Sequence, residues 1–143
     1  MEEVRRSNYP GTNRTRISIE TGSGELIDKI TILEIKSERI SDEEKLENVR
    51  YELGVLSATR DRALPDSPEL AALARELKEI NESLWEIEDA IRLCEAEQDF
   101  GPRFVELART VYMTNDKRAE AKKRINVLTG ATIVEEKSYE QYG

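Results

Sequence analysis

The residues best equipped to hold a charged ligand fall in two stretches of the chain. In the first, Gly22-Ser23-Gly24 leads into Glu25-Leu26-Ile27-Asp28-Lys29. Ser23 is a good N-cap, and the flanking glycines leave the N–H groups of the first turn uncovered, where the positive end of the helix macrodipole reinforces them. The stretch therefore reads as an anion seat with Lys29 nearby, or else as a plain junction of loop and helix. In the second, Arg103, Tyr112, Thr114, Asn115 and Arg118 lie along one basic segment, and the seam of that segment reads Phe104, Leu107, Val111, Thr114, Arg118, Ala121, Ile125, Leu128. Two polar residues thus stand on a track that should face inward, and buried polar groups must be paired or wetted. Arg118 either meets a carboxylate near Glu86 or Asp89, or joins Tyr112, Thr114 and Asn115 in lining a polar cavity.

Several chemistries are disfavoured at once. The chain has no histidine, so it lacks the commonest general base and the commonest transition-metal ligand, and its one cysteine cannot form an internal disulfide. No Walker loop, G-x-G-x-x-G or nucleophile elbow is present. The acids Glu79, Glu82, Glu86 and Glu88-Asp89 are spaced as a solvated helix face rather than as converging metal ligands, so no metal and no cofactor are expected. Asn13-Arg14-Thr15 matches a glycosylation acceptor, but no secretory leader accompanies it.

The elements that position these residues are helical. At 143 residues the chain suits one domain, and 36% charged with only 6% aromatic residues is the balance of long helices. Residues 1–15 read as a polar arm, 16–139 as one helical domain and 140–143 as a tail. Helices are expected near 24–40, 42–63, 68–98 and 102–129. The first carries Leu26, Ile27, Ile30, Leu33 and Ile40 on one stripe, with Ile32 and Ile35 across from it among charged residues. The second opens on a capping box, Ser41 to Glu44, and carries Gly54 in its middle, where a neighbouring backbone could approach closely. The third opens on Ser67-Pro68 and repeats Leu70, Leu73, Leu77, Ile80, Leu84, Ile87, Ile91, Cys94, a coiled-coil-like seam in which Cys94 is a core residue. Trp85 stands beside it as a gap filler. The fourth starts at Pro102 and ends before Gly130. The fold class is all-α, a long antiparallel helical bundle, with at most one short two-stranded β ribbon between 16–19 and 131–134.

Net charge is −8, which disfavours nucleic acid and anionic membranes, and no run is apolar enough to span a bilayer. With no leader and no disulfide, a cytoplasmic location is expected. Charge is unevenly spread: Asp66–Phe100 has eleven acids against three bases, and Gly101–Gly130 seven bases against three acids. These consecutive helices should pair. The third helix, about 45 Å long at 1.5 Å per residue, has more seam than short neighbours can cover, so a homo-oligomer is expected.

Two stretches, GELIDKITILEIKSERI and LWEIEDAIRLCEAEQDFGPRFVELARTVYMTNDKRAEAKKRINVLTGATIVEEKSY, together resemble an uncharacterised family of short helical proteins from bacteria and their phages. The resemblance spans most of Gly24 to Tyr139. It implies a helical fold and no established activity, and it makes Gly24, Glu25, Asp28, Lys29, Asp99, Phe100, Arg103, Tyr112, Asn115, Asp116, Arg118 and 135–139 the distinctive positions. That set is mostly polar, as a shared site or a polar network between subunits would be. The function expected from the sequence is non-catalytic: an oligomer that binds, and in a phage setting sequesters, a small phosphorylated ligand such as a nucleotide signal or nucleotide-sugar. Ser23, Gly24, Lys29, Arg103, Tyr112, Thr114, Asn115 and Arg118 would line the site. The alternatives are a mutase-like helical enzyme clamping an anion with Lys29, Lys36 and Arg39, or a purely structural partner-binding bundle.

Overall fold

The computed structural model describes residues 15–142, and among these there are four helices and no strand. Helix α1 spans Ser23–Arg39, α2 Glu43–Ala63, α3 Pro68–Ala96 and α4 Pro102–Thr129. The expected amino-terminal arm lies almost wholly outside the described residues. Local chemistry explains the helix ends. Ser67 caps α3 by accepting from the Leu70 N–H, with Pro68 next to it, and Gly130 ends α4 in the left-handed region at φ 67°. Two ends differ from expectation. The residue preceding α1 as its cap is Gly22, with no side-chain cap, so Ser23 is already helical; α2 is capped by Asp42, which accepts from the Lys45 N–H, rather than by Ser41.

Helix α1 is the hub, packed against each of the other three, while α2 touches only α1 among the described helices. Its apolar stripe, Leu26, Ile27, Ile30 and Leu33, is buried, and Ile35 on the other side is just as inaccessible at 1% exposure. A helix enclosed on several sides must be apolar or internally paired on each of them. The second buried side is Gly24, Asp28, Thr31 and Ile35, spaced four, three and four residues apart, a helical seam made largely of small and polar residues.

Helices α3 and α4 form the long hairpin anticipated from their opposite charge, pinned by Arg124 Nη2 to Glu76 Oε2 at 2.5 Å. The core under α1 joins Ile27 to Leu70 and Leu77 of α3 and to Ala121 and Ile125 of α4. Cys94 is buried, as its place in the seam requires. Beyond Arg39, which reaches Glu86 at 3.3 Å and sits 6.0 Å from the centre of the Trp85 ring, α1 stops. The hairpin continues alone and closes with Phe100 edge-on to Phe104 at 5.3 Å.

The two segments allowed for a ribbon, 16–19 and 131–134, are irregular. Ile17 and Ile19 are exposed, and the Ile133 carbonyl instead lies against Gly22, where a Cβ would come within 2.5 Å of it. From there 131–142 returns in irregular conformation along α4 toward its amino-terminal half, with Glu135 beside Lys122 and Tyr142 beside Asp116 and Tyr112.

Candidate functional site

The polar seam of α1 meets a polar row on α4. Gly24 and Asp28 face Asn126, Lys122 and Arg118, which stand four residues apart on one side of the opposing helix, while Thr31 of the same seam meets Asn81 of α3. Gly24 is required here because α4 comes so close: a Cβ on it would lie 2.3 Å from the Lys122 carbonyl oxygen. Its N–H donates to Asn126 Oδ1 at 2.8 Å. The first turn of α1 is thus partly filled by a side chain of α4, and the Gly24 N–H of the seat expected at Ser23-Gly24 is taken by Asn126.

One turn on, Asp28 is 1% exposed. Its carboxylate accepts from Arg118 Nε at 2.9 Å and Nη2 at 2.5 Å, and from Asn81 Nδ2 at 3.0 Å. Asn81 also donates to Thr31 Oγ1 at 2.9 Å, and Thr31 donates to the Asp28 carbonyl at 2.8 Å. A buried carboxylate is tolerated only when paired in this way. The hydrogen bond to Asp28 raises the Arg118 guanidinium above its ordinary value despite burial, so it stays charged. The acid expected opposite Arg118 on α3 is therefore corrected: Glu86 holds Arg39, and α3 contributes the neutral Asn81 at this level.

Outward of this pair, Lys122 Nζ bonds Glu25 Oε2 at 2.8 Å and Glu135 Oε1 at 3.3 Å. Burial pulls the ammonium down, but the hydrogen bond to Glu25 and the fields of Glu25, Asp28 and Glu135 outweigh it, and Lys122 is raised above an ordinary lysine. Glu25, Arg118, Ala119, Lys122, Glu135 and Lys137 enclose a polar cleft of about 220 Å³. Chemically it offers three cations and two acids at its walls, with a third acid, Asp28, sealed behind. Such a set can bind an anion while accepting hydrogen bonds from hydroxyls.

The expected site residues are only partly gathered. Gly24 and Arg118 belong to this network, and Ser23 is the first residue of α1 beside it. Thr114 is buried one turn before Arg118 and Asn115 is half-buried. Tyr112 is exposed and meets the Tyr142 ring edge-on at 5.2 Å. Lys29 points to solvent, and Arg103 sits fifteen residues before Arg118, about 22 Å along the helix, so the two arginines do not share one ligand. Of Lys29, Lys36 and Arg39, Lys29 is exposed and Arg39 pairs with Glu86.

Asp28, Glu25, Asn81, Lys122, Asn126, Glu135 and Lys137 were not among the expected ligand-binding residues. Asp28 was signalled by the four-three-four spacing of Gly24, Asp28, Thr31 and Ile35, which marks a second seam, and Glu25, Asp28, Glu135 and Lys137 by the family resemblance; nothing in the sequence singled out Asn81, Lys122 or Asn126. A larger groove, about 730 Å³, runs between α1, the end of α2 and the start of α3. Its lining residues Arg60 and Asp61 pair with each other and Lys78 pairs with Glu38, and it contains none of the expected residues. No group of three or more Asp, Glu or Cys residues that could hold a metal ion occurs among the described residues, and no described helix is long and apolar enough to cross a membrane.

The sequence profile of a family of unknown function, DUF6165, matches residues 17–142. The chain belongs to that family. It takes in all four helices and the 131–142 segment, so the whole α1–α4 network and the cleft fall within the matched residues. No curated protein and no solved structure matches this DUF6165 chain.

Proposed function

We propose that this DUF6165 protein is a non-catalytic binder of a small phosphorylated ligand, of the class of nucleotide signals and nucleotide-sugars, held in the cleft between α1, α4 and 131–142. The observation that carries the reading is the convergence of Arg118, Lys122 and Lys137 on one cleft, with Arg118 held in place by a carboxylate that solvent does not reach. A guanidinium already ordered by two hydrogen bonds loses little further freedom when an anion docks on it. The acids in the same cleft, Glu25 and Glu135, suit a ligand that brings hydroxyl donors with its phosphate, which favours a sugar-bearing molecule over a bare anion. With no histidine in the chain and Arg118 and Lys122 each paired to an acid, binding without turnover is the chemistry that fits.

Thermal unfolding against a nucleotide and nucleotide-sugar panel tests this. A ligand at 100 times its dissociation constant adds about 2.7 kcal/mol, and Lys137→Ala, on the exposed segment, should diminish that gain without lowering the melting temperature of the free protein. A panel in which nothing stabilises the protein, or a stabilisation that Lys137→Ala leaves whole, refutes the site.

The protein acts, in the same proposal, as a homo-oligomer. Where the α3–α4 hairpin runs beyond α1, Leu93 and Val105 stay 57% and 51% exposed, and the acidic α3 of one copy has a basic α4 of another to pair with.

A further inference from the structure

Two acids share the Lys122 ammonium, and they are not equivalent. Glu25 comes from the rigid hub helix at 2.8 Å, whereas Glu135 comes from the irregular 131–142 segment at 3.3 Å, with its side chain 55% exposed. Two residues further along, Lys137 lines the same cleft, as residues two apart in an extended chain share a face. The segment is anchored at both ends away from the cleft. At one end the Ile133 carbonyl lies on Gly22, a position that leaves no room for a Cβ. At the other, Tyr142 donates its hydroxyl to Asp116 and sets its ring edge-on to Tyr112.

Resting on the ligand site proposed above, we infer that 131–142 is the lid of that cleft. Glu135 of the segment holds Lys122, and an anion that replaces the Glu135 carboxylate meets Lys137 of the same segment. Lys122 and Arg118 are already paired to acids of their own chain, so an incoming phosphate must displace Glu135, the more weakly held of the two acids on Lys122. A phosphate group can do this because it offers Arg118, Lys122 and Lys137 more oxygens than one carboxylate does. Glu25 stays where it is and accepts from a hydroxyl of the ligand. The lid therefore acts as a filter: a singly charged carboxylate gains nothing over Glu135, and a di- or polyphosphate does. Because Lys137 reaches the cleft only while the segment lies along α4, the distal anchor at Tyr142 contributes to affinity although it is outside the cleft.

Calorimetric titration of the full chain with inorganic pyrophosphate tests the inference, alongside Glu135→Gln and Tyr142→Phe and with trypsin cleavage after Lys137 as a second readout. Removing the internal competitor should tighten binding about 5-fold, and loosening the distal anchor should weaken it about 3-fold. Bound pyrophosphate should slow cleavage after Lys137 in the wild type. Binding that is equal in all three proteins, or that leaves cleavage unprotected, overturns the lid and leaves the ligand site standing. No heat and no protection in any of the three overturns the ligand site and the lid together.

Discussion

Arg118 of α4 grips Asp28 of α1 with two nitrogens, across ninety residues of chain, and the carboxylate it grips is almost wholly out of water. The two partners are unequally placed, because the Arg118 side chain keeps 31% of its surface exposed and Asp28 keeps 1%. Losing one therefore does not cost the same as losing the other. Arg118→Ala strands a buried carboxylate with Asn81 as its remaining side-chain partner, at about 3–5 kcal/mol. Asp28→Ala leaves a guanidinium that can turn to water, at about 2 kcal/mol. Urea unfolding of both single variants and the double variant reads the coupling, and costs that simply add would show that the two do not work as a pair.

Two glycines in neighbouring helices should respond in opposite directions to alanine. Gly24→Ala drives a Cβ into the Lys122 carbonyl and forces α1 and α4 apart, at about 1–3 kcal/mol from overpacking alone. Gly54 has nothing within 4 Å of its would-be Cβ, so Gly54→Ala should stabilise by about 1 kcal/mol through helix propensity. Melting temperatures that move the same way in both would contradict the packing described.

Lys122 predicts an alkaline limb of the stability profile. Its folded pKa lies above the ordinary 10.5, so the stability it adds is complete below the unfolded value and disappears as pH climbs through the folded one. Tyr142 and Lys78 are raised as well and lose stability in the same direction. The melting temperature should hold up to about pH 10 and then fall, and it should fall less steeply in Lys122→Met. An equally steep fall in that variant would remove Lys122 as a cause.

The exposed distal hairpin predicts self-association. Light scattering at micromolar concentration should give a mass above the 16.4 kDa of one chain, and Leu93→Glu with Val105→Glu should return it to that mass without loss of helix by circular dichroism. A wild-type monomer removes the oligomer and assigns the arm another role.

What the sequence determined by itself is local. Helix ends at Pro68, Pro102 and Gly130, the burial of Cys94 in an unbroken three-four seam, and the pairing of the acidic α3 with the basic α4 all follow from neighbours a few residues apart or from the charge of whole segments. Such features depend on backbone geometry that each helix carries wherever it lies. The rest awaited the tertiary structure. Whether Arg118 meets Glu86 or Asp28, and whether Gly24 or Gly54 is the point of close approach, depends on the rotation and axial offset of one helix against another. A helical repeat names the faces of each helix but not which face of another it meets. Those offsets are decided by the sum of contacts over the whole core, to which the closeness of α1 to α4 at Gly24 belongs. Segment 131–142 shows the same limit, since 131–134 suited an extended strand beside the alternating 16–20, yet Gly22, Lys122 and Asp116 offered it a bed along α4 that no repeat in the sequence announced.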